Sequence, residues 1–378
     1  MKLYRIFNGR FPSEKAAAFF EAKSAESFSS QGIEVILLVP RRFKRIKESY
    51  SNFYGIKNNF KVIFLPTIDL AQIPILNKIS FYVGFVSFSI FSFIYLLFTS
   101  KKEDFIYSNE SLPLFFISFI SSNTLLEIHD FPEKKILFYK TLFKRLKFIL
   151  ATNFWKKEEL KRKFFIDDKK IICEPNAVEL QDFDINLSKK EARHKLNLPE
   201  NKFIILYTGH LYSWKGADVL ANSSVFLSDE YLIVFVGGTD NDLNLFKSRY
   251  GNVKNIFFAG YRNHEEIPIW QKASDVLILP NTAKEDISKF YTSPMKLFEY
   301  LASRIPVVAS DLPSIRQVAG EKELYFFNPD DSLDLSNKIK WVYKNYSLAL
   351  QTAGVAYESV QKYSWAKRAK RILGYIFP

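Results

Sequence analysis

The chain alternates short, continuous apolar runs with stretches in which apolar residues recur every three or four positions. The runs of the first half are Leu3–Phe7, Glu34–Val39, Val62–Leu65, Phe105–Tyr107, Leu125–Ile128, Ile149–Ala151 and Ile171–Cys173. Those of the second half are Phe203–Tyr207, Tyr231–Val236, Ile256–Phe258, Val276–Leu279, Pro306–Ala309 and Leu324–Phe327. Such runs predict strands buried on both faces, and the 3.6-residue pattern between them predicts helices. Strand and helix in alternation make parallel sheets covered on both sides, so the expected fold class is α/β with doubly wound parallel sheets. A polar stretch from Glu179 to Asn201 interrupts the series, and 378 residues exceed the usual size of one domain. The expectation is two domains, 1–183 and 184–355, with a C-terminal segment over 356–378.

One helical stretch departs from the pattern. Ile79 to Ser100 carries no charge and is long enough to cross a bilayer. A span there would put the strands before it and the rest of their sheet on opposite sides of a membrane. It is therefore expected to pack under the first sheet, softened by Ser87, Ser89 and Ser92, with a shallow membrane contact as the alternative. Two basic clusters, Arg41–Arg45 and Lys134–Lys147, resemble surfaces that sit on anionic lipid, although each is also what a solvated helix face looks like.

Lys and Arg number 53 against 40 Asp and Glu, a formal charge of +13, with a pI near 9.4. That balance points to an anionic partner: nucleotide phosphates, nucleic acid or an acidic membrane surface. No helix-turn-helix, zinc-finger or RRM signature supports nucleic acid, so none is expected as a partner. The single cysteine, Cys173, excludes an intrachain disulfide and a Cys-based metal cluster. The N-terminus lacks the apolar core of a signal peptide, and the expected location is cytoplasmic, at or near the inner face of a membrane. No metal-ligand cluster with a defined spacing is present; Asp240-Asn241-Asp242 is too common a triplet to imply one. GxGxxG is absent from both halves.

The chemistry concentrates in the second half. In TSPMKLFEYLASRIPVVASDLPSIRQV, Thr292–Val318, a polar turn with Pro294 opens a helix that leads into a strand. The free N–H groups and dipole of such a helix start, worth roughly half a positive charge, suit an anion, so Ser293 to Leu297 can face a diphosphate. Glu299, one turn on, would repel phosphate but can accept hydrogen bonds from a ribose diol. The turn Thr208–Gly216 places Gly209 for close backbone approach and Lys215 as a cation before a helix; an ordinary loop with a surface lysine is the bland alternative. Gly237-Gly238 and Gly260-Tyr261-Arg262 end the next two strands, on the edge where doubly wound folds bind ligands. In the first half, Glu127-Ile128-His129-Asp130 ends a strand on the same side as the Asn8-Gly9 turn. His129 can exchange a proton with a substrate hydroxyl or simply be satisfied by Asp130. His194 and His264 sit in polar helical stretches and look unremarkable.

These segments, together with FPSEKAAAFFEAKSAESFSSQGIEVILLVP, EPNAVELQDF, ASDVLILPN and KYSWAKRAKRIL, resemble the glycosyltransferases with two Rossmann-like domains, specifically the large retaining group called family 4. The resemblance implies the GT-B fold, two Rossmann-like domains facing across a cleft, with the last helix crossing back to the first. It implies a retaining, metal-independent hexosyltransferase with no cofactor, taking a nucleotide diphosphate sugar as donor and a glycan or lipid-linked hydroxyl as acceptor, in cell-surface polysaccharide or lipopolysaccharide synthesis. It assigns Lys215 to the diphosphate, Glu299 to the ribose, Tyr261 and Arg262 to the base, and His129 to the donor sugar. Ser293, Met295, Lys296 and Leu297 line the phosphates or sugar, and Gly9, Gly209, His210 and Gly238 complete the donor site. Lys215, Glu299 and His129 are the catalytic candidates. Two positions depart from the family: Tyr291 stands where a first glutamate is often found, and His210 where an arginine commonly follows the glycine. A silent sugar-nucleotide-binding or membrane-docked assembly protein is the alternative reading, and a nucleic-acid binder a weaker one.

Overall fold

A computed structural model gives the architecture and describes residues 1–42, 46–57, 60–69 and 77–377, with side chains from 82 onward in the helix that begins at Asn77. Phe43, Lys44 and Arg45 of the first basic cluster lie outside the described residues. The chain forms two compact units, Met1–Glu174 with Trp365–Pro378, and Pro175–Ser364.

The first unit contains β1 (Lys2–Ile6), β2 (Glu34–Pro40), β3 (Lys61–Leu65), β4 (Phe105–Ser108), β5 (Thr124–Ile128), β6 (Phe148–Ala151) and β7 (Ile171–Cys173). They form one parallel sheet in the order β3-β2-β1-β4-β5-β6-β7. The second unit contains β8 (Phe203–Thr208), β9 (Tyr231–Val236), β10 (Ile256–Gly260), β11 (Val276–Leu279), β12 (Val307–Ser310) and β13 (Tyr325–Phe327). Its sheet is also parallel, in the order β10-β9-β8-β11-β12-β13. Each apolar run in the sequence is thus a strand. Strand alternation explains why the runs are apolar throughout: Ile204, Leu206, Leu277 and Leu279 join the core on one face of the second sheet, while Ile205, Tyr207, Val276 and Ile278 join the core on the other.

Both expected boundaries move. Val178 and Phe183 are buried in the second unit's core, so that unit begins at Pro175 rather than at residue 184. Ala356 and Val360 pack in the same core, and only the helix Trp365–Ile376 belongs to the first unit, where Ala369, Ile372 and Ile376 are buried. Arg368 seals it there, donating from Nη2 to buried Glu127 at 2.6 Å. The polar residues that suggested a later junction include a short helix, Lys189–Lys195, held by a capping box between Ser188 and Glu191.

The uncharged stretch forms one helix, Asn77–Thr99. Its three serines, Ser87, Ser89 and Ser92, are buried, and large apolar residues face outward.

Candidate functional site

In the second sheet the chain runs outward from β8 to β9 and β10, and β11 to β13 lie on β8's other side. The topological switch point is therefore between β8 and β11, and the crevice outside the carboxyl ends of such strands is where doubly wound folds bind ligands. The loop after β8 and the segment after β11 meet there with no room to spare. At Gly216 φ is +65°, and a Cβ would stand 1.8 Å from the Pro280 carbonyl oxygen, so only glycine fits. This contact fixes the short turn Ser213–Lys215 and with it the origin of the Lys215 side chain.

The helix Met295–Ala302 is locked to the same edge. Tyr300, fully buried, accepts from the Thr208 N–H at 2.9 Å and contacts the Thr208 hydroxyl at 3.0 Å. One turn earlier Lys296 reaches back beneath Gly209, where φ is +113° and a Cβ would lie 3.3 Å from Lys296 Cδ. The Lys296 ammonium is buried, has no hydrogen-bond acceptor among the described residues, and sits 4.1 Å from the centre of the Tyr207 ring. Burial, then the charge of Lys215, pull its pKa well below that of an ordinary lysine, against the opposing pull of Glu299. Lys215 lies 5.2 Å from the Trp214 ring and 5.5 Å from the Tyr212 ring. Burial lowers it to about 8, although Asp242 and Glu299 favour its charge. Two lysines thus crowd the switch point, held against aromatic faces and paired with no acid among the described residues.

Glu299 is 8% exposed, and its Oε1 lies 3.1 Å from His264 Nε2. An ionised carboxylate only accepts, so Nε2 carries the hydrogen. His264 also meets the Phe183 ring edge-on at 6.4 Å.

Other predicted residues divide into groups at this edge and groups spent on structure. His210 stacks flat on Tyr212, 4.9 Å between centres, with Nδ1 3.8 Å from Asp242. Gly238 packs against Leu211 and Leu243. Tyr261 is exposed, and Arg262 turns back to donate to the Tyr261 carbonyl at 2.8 Å. Met295 is half-buried at the helix start. Two assignments are corrected. Leu297 is wholly buried in the core and its N–H donates to the Pro294 carbonyl, so it offers nothing to a ligand. Ser293 is buried and accepts from the Asn176 N–H at 3.1 Å through Oγ, so it anchors the residues that open the second unit.

In the first unit the switch point lies between β1 and β4. Gly9 turns over the Phe7 ring, and the neighbouring Asn8 N–H donates to Glu110 Oε1 at 3.1 Å while Arg42 donates to Asn8 Oδ1 at 2.9 Å. Burial raises Glu110 to about 7. His129 is half-buried, edge-on to Phe20, with Nε2 3.4 Å from Glu127 Oε1. The carboxylate it faces is thus Glu127, where the sequence suggested Asp130.

His264 and Glu110 were not singled out from the sequence. Glu110 follows β4 at the switch point, and His264 follows the third glycine turn, so position at a strand end was the available signal. Among the described residues no group of three or more His, Cys, Asp or Glu could hold a metal ion.

A family model for glycosyl transferases group 1 matches residues 188–358, nearly all of the second unit. That stretch is similar to the glycosyl transferases group 1 family. The two doubly wound units have the GT-B fold of solved glycosyltransferases. The group 1 match is accompanied by curated relatives: a UDP-Gal:alpha-D-GlcNAc-diphosphoundecaprenol alpha-1,3-galactosyltransferase of Escherichia coli is 28% identical over 41% of this chain and 40% of its own. The O-antigen chain mannosyltransferase RfbU of Salmonella typhimurium is 26% identical over 58% of this chain and 60% of its own. The matched stretch therefore spans roughly two to three fifths of those relatives' length. Among solved structures, Anabaena Alr3699/HepE in complex with UDP superposes with a TM-score of 0.74 at 16% identity, covering 99% of each chain.

Proposed function

We propose that the protein is a retaining glycosyltransferase that moves a hexosyl group from a nucleotide diphosphate sugar to a hydroxyl of a glycan or lipid-linked acceptor, in cell-surface polysaccharide or lipopolysaccharide synthesis on the cytoplasmic side of a membrane. The observation that carries this reading is the pair Lys215 and Lys296. Two cations, one of them with its ammonium buried and without an acceptor, crowd a ligand-binding edge that presents a carboxylate, Glu299, for a ribose. A diphosphate supplies the missing negative charge, and the nucleoside supplies the diol. The curated relatives bear names of galactosyl and mannosyl transferases, which supports a hexose donor, and the solved neighbour holds UDP.

In the transfer, the bond between the anomeric carbon and the diphosphate oxygen breaks while the acceptor oxygen bonds to that carbon on the same face. The acceptor's proton passes to the departing phosphate oxygen. Lys215 and Lys296 stabilise the charge that grows on that leaving group, the electrostatic contribution that usually dominates such catalysis. No metal or cofactor is required by this scheme. His129 is assigned to a sugar hydroxyl. A thermal-shift panel of UDP, GDP and ADP with their sugars tests the reading: ligand at a hundredfold excess over Kd stabilises by about 2.7 kcal/mol. Absence of a shift with every nucleotide would sink it, and a shift without product formation would favour a silent binding protein.

A further inference from the structure

The helix Asn77–Thr99 is built with its polarity reversed. Gly84, Ser87, Ser89 and Ser92 are buried against the first unit together with Phe88 and Leu96. Val86, Ile90, Ile94, Leu97 and Phe98 face outward and are 42 to 80% exposed. Their spacing of four, four, three and one residues draws a single stripe along one side, about 18 Å long at 1.5 Å per residue. Two of the inner hydroxyls bond within the helix, Ser87 Oγ donating to the Gly84 carbonyl at 3.0 Å and Ser89 Oγ to the Phe85 carbonyl at 2.7 Å, while the Ser92 hydroxyl is buried without a partner among the described residues. A helix resting on a protein with its outer side in water carries the opposite arrangement, apolar inside and polar outside. An apolar stripe of this size on a protein surface marks something that covers it.

The stripe ends in positive charge. The chain leaves the helix into exposed Lys101 and Lys102. The Lys102 carbonyl accepts from Asn123 Nδ2 at 3.0 Å, and Asn123 Oδ1 accepts from Lys147 Nζ at 3.1 Å. On the adjoining segment Arg145 donates to Ser118 Oγ at 2.9 Å and lies 3.8 Å over the ring of Phe119, itself exposed. Four cations therefore gather where the stripe ends, beside exposed Glu103, while the Asp104 carboxylate is buried and accepts from the backbone of Lys2 and Lys101.

We infer that this helix docks the protein on an anionic bilayer, lying in the plane of the interface with Val86, Ile90, Ile94, Leu97 and Phe98 among the acyl chains and Lys101, Lys102, Arg145 and Lys147 on lipid phosphates. Apolar stripe and basic rim are the two components of such binding, and they add. A transmembrane course is excluded by the buried half of the helix and by β3 and β4, which flank it in sequence and lie in one sheet. A second copy of the chain paired in parallel is disfavoured as the cover, since it would bring two basic rims together, and an antiparallel pair would leave each rim without a negative partner. The inference names a surface distinct from the donor edge and needs no nucleotide to test.

Flotation of the full chain with vesicles, one set pure phosphatidylcholine and one with about a third phosphatidylglycerol, reads the docking directly. Binding to the anionic set should be at least about tenfold stronger and should weaken with salt. Ile90→Ser with Ile94→Ser and Phe98→Ser should abolish it with UDP-type nucleotide binding unchanged, and Lys101→Glu with Lys102→Glu should weaken it on anionic vesicles. In Ile94→Trp, kept as the readout should the triple variant fail to fold, the indole emission should shift to the blue on adding anionic vesicles and not neutral ones. No binding to either vesicle, binding untouched by the triple variant, an Ile94→Trp emission that does not move, or a dimer in light scattering that the triple variant dissolves without vesicle binding would each overturn the inference.

Discussion

Both units bury cations beside their sheets, and they treat them in opposite ways. In the first, Arg5 meets Glu21 at 2.7 Å and lies 4.0 Å over the Tyr107 ring, Tyr107 donates to Glu127, and Glu127 accepts from Arg368 at 2.6 Å. Burial opposes the Glu127 charge, but Arg368, then His129 and Arg5, hold its carboxyl far below the usual carboxylate range. In the second, Lys215 and Lys296 crowd one another at the carboxyl edge, where Asp242 and Glu299 favour the charge of Lys215 but no ion pair is formed among the described residues, and Glu299 already accepts from His264. The contrast is not a property of the second unit as a whole. At the opposite edge of the same sheet Arg193 and Lys189 both reach Asp275, at 2.5 and 2.6 Å. Paired buried charges hold structure together, whereas a buried ammonium without an acceptor among the described residues leaves a deficit that the proposed anionic ligand would fill. Such a deficit costs stability in the free protein, and its persistence at a ligand-binding edge is what marks it as functional.

Removing a charge from each network separates the two cases most sharply. Arg368→Ala strips Glu127 of a buried partner and should cost the first unit about 3–5 kcal/mol in denaturant unfolding. Lys296→Met removes a cation with no acceptor and should leave stability unchanged or raised while weakening nucleoside diphosphate binding about 10- to 100-fold by calorimetry, the worth of a charge-assisted contact of about 1.5–3 kcal/mol. A Lys296→Met protein that is destabilised yet binds normally would erase the distinction. Lys215→Ala should lose a similar factor for diphosphates and far less for the nucleoside alone, and the transfer rate should fall with it.

The pH dependence sharpens the same contrast with a smaller effect. Lys215 sits at about 8 in the free protein. A bound diphosphate favours its protonated form, so binding takes up a proton wherever the free lysine has lost it. Affinity should therefore decline as pH rises through about 8, at most tenfold per unit for this one group, and Lys215→Ala should flatten the decline. The stability contribution has the opposite sign. The unfolded lysine, near its ordinary 10.5, binds more protons than the folded one above about 8, so folding gains as pH rises through that window. Nucleotide titrations and unfolding curves at pH 7 and 9 that moved in the same direction would contradict the assignment.

Sheets were legible in the sequence because a strand buried on both faces has no polar alternation to confuse it, and all thirteen runs became strands. Ile305 to Ser310 shows the limit: Pro306 was taken into the run, but β12 starts at Val307, with the Pro306 carbonyl accepting from Leu277. Boundaries were misread because a linker and a polar helix look alike. Val178 and Phe183 read as junction, and only three-dimensional packing shows them in a core. At the carboxyl edge of the second sheet, residue types and spacing pointed to Lys215, Glu299 and the helix start that carries Lys296, because their places depend on where a strand ends, and the structure brings the three together. They could not identify what Leu297 and Ser293 do, because a helix face turned inward and a backbone partner 117 residues away leave no local mark. His264 was passed over for the same reason: its meaning is its distance to Glu299, 35 residues along the chain.

That histidine supplies the finest test of the contrast. Tyr291 stands where, by the family resemblance, a first glutamate is often found, and Glu299 instead has an imidazole N–H on Oε1. If His264 orients the carboxylate toward a ribose diol, it is a positioning residue and its loss should register only through the ribose. His264→Ala should weaken the ribonucleoside diphosphate about fivefold, near 1 kcal/mol for one hydrogen bond, and leave the 2′-deoxy counterpart almost unchanged. His264→Gln, which keeps a donor of similar reach, should recover most of the loss. A structural role would weaken both nucleotides alike and lower the unfolding midpoint, so calorimetry on the ribo and deoxy pair, alongside denaturant curves, distinguishes them. An equal loss on both ligands would detach Glu299 from the ribose and leave Lys215 and Lys296 as the second unit's case for a nucleotide.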